Sequence, residues 1–126
     1  MFDHLVFGVR DYERSKEFYL KVLAPIGIAV LSENELGIEL SSDGKSSLCI
    51  RRKPETHQAH LHLAFVAESR AQVQTFHRIA LEIGARDNGS PGLRPNYSGN
   101  YFAAYVLDPD GHNIELVCHE TPDRCR

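Results

Sequence analysis

The chain repeats itself, and that feature limits its possible folds more than any other. Shifted by 58 positions, His4-Leu5-Val6-Phe7 lies on His62-Leu63-Ala64-Phe65, Phe18 on Phe76 and Leu23 on Leu81; one residue of slippage then brings Gly27 onto Gly84. A repeat of this kind marks one supersecondary unit used twice. Each copy opens on a period-two run. In the first, Leu5, Phe7 and Val9 point one way and Phe2, His4, Val6 and Gly8 the other. In the second, Leu61, Leu63 and Phe65 oppose His60, His62, Ala64 and Val66. The bulky face is the one a helix covers. The opposite face, a histidine followed by small residues, suits a sheet lining a cavity.

A helix follows in both copies. Asp11 is placed to cap the first, whose stripe is Ser15, Phe18, Tyr19, Val22 and Leu23, with Pro25 ending it. Ser69 caps the second, with Val73, Phe76, Ala80 and Leu81 as the stripe and Gly84 at its C-terminal end. Strands are predicted over 28–31, 36–40 and 47–51 in the first copy and over 101–107 and 113–119 in the second, with one more near Ala85. The unit is therefore β-α-β-β-β, present twice in an α+β fold. One domain spans 1–126, with module one about 1–53, a polar linker at 54–59, module two about 60–120 and a tail at 121–126. Aligning the closing turns Asp43-Gly44 and Asp110-Gly111 gives an offset of 67, nine more than the opening strands. The extra length falls in DNGSPGLRPNYSGN, residues 87–100, expected to be a long functional loop.

Composition narrows the function. With 126 residues there is no room for a (β/α)₈ barrel or for a dinucleotide-binding fold with a second domain. A net charge of −3 gives no footprint for nucleic acid or an anionic membrane, and no apolar run reaches the length of a membrane span. The start, MFDHLVFGV, is not that of a signal peptide. Cys49, Cys118 and Cys125 form no C-x-x-C pair; the first two read as buried small hydrophobes, and a reduced, cytoplasmic setting is expected.

Chemistry is carried by His4, His62 and Glu115. The two histidines are repeat-equivalent, which structural filler has no reason to preserve. Glu115 alternates with Val117 and His119 in an apolar strand, and burying that carboxylate is costly unless something compensates it. A metal is one such thing. Two histidines and a glutamate leave open positions on iron, manganese, nickel or zinc. The competing reading is an ordinary strand histidine in each copy and a glutamate that faces solvent or pairs with an arginine.

The opening DHLVFGVRDYERSKEFYLKVLAPIGI and the closing YVLDPDGHNIELV resemble the vicinal oxygen chelate superfamily, the group of glyoxalase I, bleomycin-resistance proteins and extradiol dioxygenases. The resemblance covers nearly the whole chain, and D-P-D-G-x-x-x-E is its most specific stretch. It implies paired β-α-β-β-β modules whose mixed sheets curl around a divalent metal held by His4, His62 and Glu115, with Glu115 also available as a base. It further implies a homodimer and a small oxygen-bearing substrate. Glyoxalase I-like members usually carry a fourth ligand on the last strand of the first module. With the Asp-Gly turns aligned, Leu48 holds that position and cannot bind metal. Glu39 is the nearest carboxylate but lies on the neighbouring strand. The His, His, Glu order instead resembles the dioxygenase and fosfomycin-resistance branches.

Other candidates surround this set. His60 shares the face of His62 and is either a support to the metal ligands, an alternative ligand or a solvated residue. Arg94, Tyr97 and Tyr101 lie in or beside the long loop, as substrate-binding groups or as surface charge and loop packing; an arginine there suits a carboxylate or phosphate. His119 is expected at the strand end in water, and His57, His77 and His112 as linker, helix and turn residues. The expectation is a metal-dependent lyase, isomerase or dioxygenase, the alternative a metal-free resistance protein that sequesters a drug.

Overall fold

Two short polar side chains start the helices. Asp11 Oδ1 accepts from the Arg14 amide at 3.2 Å and opens α1 (Tyr12–Leu23). Ser69 Oγ accepts from the Gln72 amide at 3.2 Å and opens α2 (Arg70–Glu82). Each satisfies an amide that the first helical turn leaves without a partner. A 3₁₀ turn, Ala24–Ile26, carries Pro25 and closes on Gly27, whose φ of 82° suits a residue without a Cβ.

The computed structural model describes residues 2–55 and 60–119. The chain divides into two compact units, Met1–Ala59 and His60–Arg126. In the first, β1 (His4–Val9), β2 (Ala29–Asn34), β3 (Gly37–Ser41) and β4 (Ser47–Arg52) form a sheet in the order β1-β4-β3-β2. In the second, β5 (His62–Val66), β6 (Arg86–Leu93), β7 (Phe102–Leu107) and β8 (Asn113–Cys118) repeat that order as β5-β8-β7-β6. The opening strand runs parallel to the closing one in both, and the other pairs are antiparallel. The two β-α-β-β-β units of a mixed α+β fold are thus present. Residues 56–59 of the expected linker, His57 among them, and the tail at 121–126 lie outside the described residues.

Phe18, Tyr19, Val22 and Leu23 are buried on α1, as are Phe7 and Val9 on β1, with the Phe7 and Tyr19 rings 6.0 Å apart, as the amphipathic pattern requires. Tyr19 meets Phe18 edge to face, with ring centroids 4.9 Å apart. In α2 the stripe differs from expectation. Leu81 is 41% exposed, and His77 is buried instead, its Nε2 2.8 Å from Asp87 Oδ1. The histidine is tolerated inside because this hydrogen bond supplies a polar partner. Cys49 is a free buried thiol, whereas Cys118 is disulfide-bonded, so the reading of Cys118 as a plain buried thiol is corrected.

The segment expected as one long loop is half strand. β6 takes in Arg86–Leu93 and pairs with β7, with register shifts between Asp87 and Gly89 and between Gly89 and Gly92. Bulges of this kind absorb residues that break a regular ladder, here Gly89, Pro91 and Gly92 on an edge strand. The true connection is the shorter stretch from Arg94 to Tyr101, closed by the Arg94 amide donating to the Tyr101 carbonyl at 2.7 Å.

Asp87 ties this edge to the helix, and its carboxyl is held below the usual aspartate range, first by the His77 hydrogen bond and then by the Gly89 amide. A depressed folded-state pKa contributes stability that is present above the unfolded value and fades as pH falls through the folded one. Asp87→Asn is therefore expected to flatten the acid limb of stability measured by urea unfolding between pH 6 and 3. An acid limb identical to that of the parent protein would remove Asp87 from that role.

A buried carboxylate and its neighbours

Glu115 is the centre of the second unit's polar cluster. β8 pairs in parallel with β5, which puts Ala64 beside Glu115, and antiparallel with β7, which puts Tyr105 opposite it. Because side chains alternate along a strand, His62 shares the face of Ala64 and stands one residue pair away. His62 Nε2 lies 2.7 Å from Glu115 Oε1. The Tyr101 hydroxyl donates to the other oxygen, Oε2. Glu115 is 1% exposed, whereas the His62 side chain is 54% exposed. One end of the pair is therefore dry and the other reaches solvent.

Taking a carboxylate out of water is costly unless its lone pairs are used. Among the described residues Glu115 makes no ion pair with lysine or arginine; its polar neighbours are His62, Tyr101 and Tyr105. Burial and the hydrogen bond to Glu115 push the Tyr101 hydroxyl well above its ordinary value, and burial raises Tyr105 as well. Both phenols consequently stay protonated at neutral pH, and Tyr101 is fixed as a donor.

A second ring of side chains continues outward. Tyr97, 62% exposed, packs its ring 4.9 Å from that of Tyr101, and the His119 ring meets Tyr101 edge-on at 5.0 Å. Asn100 donates its side-chain amide to the His119 carbonyl, holding the connection to the strand end. The Arg94 guanidinium stands 5.3 Å from the Tyr105 ring centroid, and that ring is 6.3 Å from the His62 ring. Arg94, Tyr97, Tyr101, His62 and Glu115 are thus brought into one neighbourhood. His60 is not. It precedes β5 and packs its ring 5.8 Å from that of His112, over the turn at Gly111. His112, expected as a turn residue, is 1% exposed, and its Nδ1 accepts from the Leu61 amide at 2.8 Å.

His4 sits in the first unit, more than half exposed, with Nδ1 2.8 Å from Asp3 Oδ2. β1 pairs His4 with Ser47 as β5 pairs His62 with Asn113, so the residue matching Glu115 is Cys49 and not Leu48. The first closing turn holds one residue more between its glycine and the strand, which shifts the alignment made on Asp-Gly. Leu48 faces the core and is 7% exposed. Glu39 lies opposite Cys49 as Tyr105 lies opposite Glu115. Its carboxylate accepts from Ser47 Oγ at 2.8 Å and Ser32 Oγ at 3.1 Å. These bonds, Ser47 first, hold its pKa below the ordinary glutamate value, with a smaller contribution from His4.

Imidazole nitrogen and carboxylate oxygen are the donors that borderline divalent metals take. In the His62–Glu115 hydrogen bond Nε2–H donates to Oε1, so a cation that displaces that proton meets both lone pairs, and at 2.7 Å the two atoms are close enough to share one ion. These two residues fit two ligand positions. No three His, Cys, Asp or Glu residues form a ready metal group among the described residues. Tyr105 and Cys49 were missed by sequence reasoning. Counting strand pairs outward from the closing turns, rather than aligning the turns themselves, is the signal that finds both.

Comparison with known proteins adds a family context. The family model of the Glyoxalase/Bleomycin resistance protein/Dioxygenase superfamily matches residues 1–116. A lactoylglutathione lyase of Salmonella typhimurium is 31% identical over 128 residues, an alignment covering 90% of this chain and 89% of the relative. Among solved structures, a glyoxalase/bleomycin resistance protein from Albidiferax ferrireducens T118 superposes with a TM-score of 0.78 at 28% identity, covering 94% of this chain and 98% of the other. A glyoxalase/bleomycin resistance protein/dioxygenase family enzyme from Burkholderia phytofirmans PsJN gives 0.74 at 18% identity, covering 94% and 98%. The last shares the fold.

Proposed function

Since the chain belongs to the glyoxalase/bleomycin resistance protein/dioxygenase superfamily, we propose that it is a divalent-metal-dependent, glyoxalase-like enzyme acting on a small oxygen-bearing substrate. The observation that carries this reading is the desolvated Glu115 carboxylate, which has no lysine or arginine partner among the described residues and faces His62. His62, Glu115 and the repeat-equivalent His4 would hold the metal. When bound, the metal polarises substrate oxygens and stabilises negative charge that develops on them. Lyase or isomerase chemistry is favoured over dioxygenation by the relatives named lactoylglutathione lyase.

The protein's own groups have separable tasks. Tyr101 holds Oε2 of Glu115, so that Oε1 keeps facing His62. Fixing a ligand's second oxygen in this way orients it and limits its rotation. Glu115 is also the carboxylate available to take or return a proton at the substrate. Tyr97, exposed and packed at a tilt against the Tyr101 ring, would cover bound substrate from the solvent side. Two chains pairing as a homodimer, in a cytoplasmic setting, complete the reading.

A metal-free binding protein is the second reading, favoured by the lack of a ready three-residue metal group among the described residues. Metal analysis separates the two. Protein prepared with iron, manganese, nickel and zinc in the medium is expected to retain about one equivalent per chain. Less than a tenth of an equivalent of each would sink the enzyme reading and leave the binder.

A further inference from the structure

Arg94 is held on a surface made by two missing side chains. A Cβ at Gly89 would lie 2.7 Å from Cδ1 of Tyr105 and 3.4 Å from an Arg94 terminal nitrogen, and one at Gly92 would lie 3.0 Å from the other. Gly89 also has a φ of 153°, which side-chain-bearing residues rarely adopt. β6 therefore presents bare backbone where the Tyr105 ring and the guanidinium settle. There Arg94 donates to the Ser90 carbonyl at 2.7 Å and to the Leu93 carbonyl at 3.4 Å, with its charge 5.3 Å from the centre of the Tyr105 ring.

Those contacts immobilise the side chain without neutralising it. Arg94 has no carboxylate partner among the described residues, and a guanidinium carries five N–H donors, of which two carbonyls use a fraction. A held, uncompensated guanidinium loses little further freedom when an anion arrives, and its planar fork accepts a carboxylate or phosphate in two parallel hydrogen bonds. The same Tyr105 ring lies across the ladder from Glu115 and 6.3 Å from the His62 ring. One aromatic side chain thus separates a fixed cation from the histidine–carboxylate pair.

We infer that Arg94, seated on Gly89 and Gly92 against Tyr105, is an anion subsite: the substrate carries a carboxylate or phosphate at a short distance from its reacting oxygens. This rests on the proposed site at His62 and Glu115 for its position, not for the binding of the anion itself. The subsite selects substrates by charge, and neutral compounds with the same pair of oxygens are disfavoured.

The test uses a matched pair of probes, catechol and 3,4-dihydroxybenzoate, which differ by one carboxylate. Binding is measured calorimetrically to chelator-treated and to manganese-supplemented protein, for the parent chain, Arg94→Gln and Arg94→Lys. In both preparations the parent is expected to prefer the acid by about tenfold or more. Arg94→Gln should abolish that preference and leave catechol affinity within about twofold, and Arg94→Lys should restore part of it. Equal affinities for the two probes, no binding of either, or a preference that survives Arg94→Gln would overturn the assignment. Circular dichroism of each variant excludes loss of fold. Manganese binding to the same samples, followed by electron paramagnetic resonance, tests the metal reading separately, so either can fail alone.

Discussion

Glu115→Gln and His62→Ala are each expected to lower affinity for Mn²⁺ by at least about 100-fold, and Tyr101→Phe by about 10- to 100-fold. The order follows from what each substitution removes. Gln keeps the shape of Glu115 inside a site that is 1% exposed, but replaces an anionic oxygen by an amide that binds cations weakly. Alanine at 62 removes the imidazole whose Nε2 stands 2.7 Å from Oε1. Phenylalanine at 101 leaves both donors in place and takes away only the hydroxyl on Oε2, so the carboxylate can rotate. The effect of that change is indirect and smaller. Titrating Mn²⁺ into each folded variant and reading free Mn²⁺ by electron paramagnetic resonance gives the constants. Affinity unchanged in Glu115→Gln would remove Glu115 from the ligand set. If Tyr101→Phe weakened binding as much as His62→Ala, the hydroxyl would be doing more than positioning a neighbour.

How far this arrangement was legible in the residues depends on distance along the chain. The helices followed from local signals, since a cap bonds an amide three residues on and a buried stripe recurs within one turn. The pairing of His62 with Glu115 rests instead on His4 standing at the matching place in the first copy and on the family resemblance of the D-P-D-G-x-x-x-E stretch. β6 reads as a loop because Gly89, Pro91 and Gly92 have the composition of one, and only pairing with β7 across two bulges makes them a strand. The Leu48 alignment failed for a related reason. Register is a property of two strands, and one additional residue in a turn sends every following side chain to the opposite face. Cys49, and not Leu48, therefore shares the position of Glu115, with Glu39 beside it. Tyr105 escaped notice because nothing local distinguishes it from a core aromatic; its meaning comes from standing across the ladder from Glu115.

The repeat itself predicts the largest effects on stability. Phe18 and Phe76 occupy equivalent places on α1 and α2 and are 3% and 0% exposed. Phe→Ala at a buried position loses the transfer free energy of the ring and leaves a cavity that neighbours fill only in part, so each substitution is expected to cost about 3–5 kcal/mol. At Phe18 the loss includes an edge-to-face contact with Tyr19, and at Phe76 the packing beside Val73 and Ala80. Urea unfolding followed by circular dichroism reads both values. Their functional consequences should differ. α2 belongs to the unit that holds His62, Tyr101 and Glu115, so Phe76→Ala should also weaken Mn²⁺ binding as that unit loosens. Phe18→Ala perturbs the unit that contributes one proposed ligand, His4. If either substitution cost less than about 1 kcal/mol, the buried stripe would be carrying less of the fold than its burial implies. A larger loss of Mn²⁺ affinity in Phe18→Ala than in Phe76→Ala would move the weight of the proposed ligand set from Glu115 toward the first unit, where Cys49 lies on the strand next to that of His4 and Glu39 on the strand beyond it.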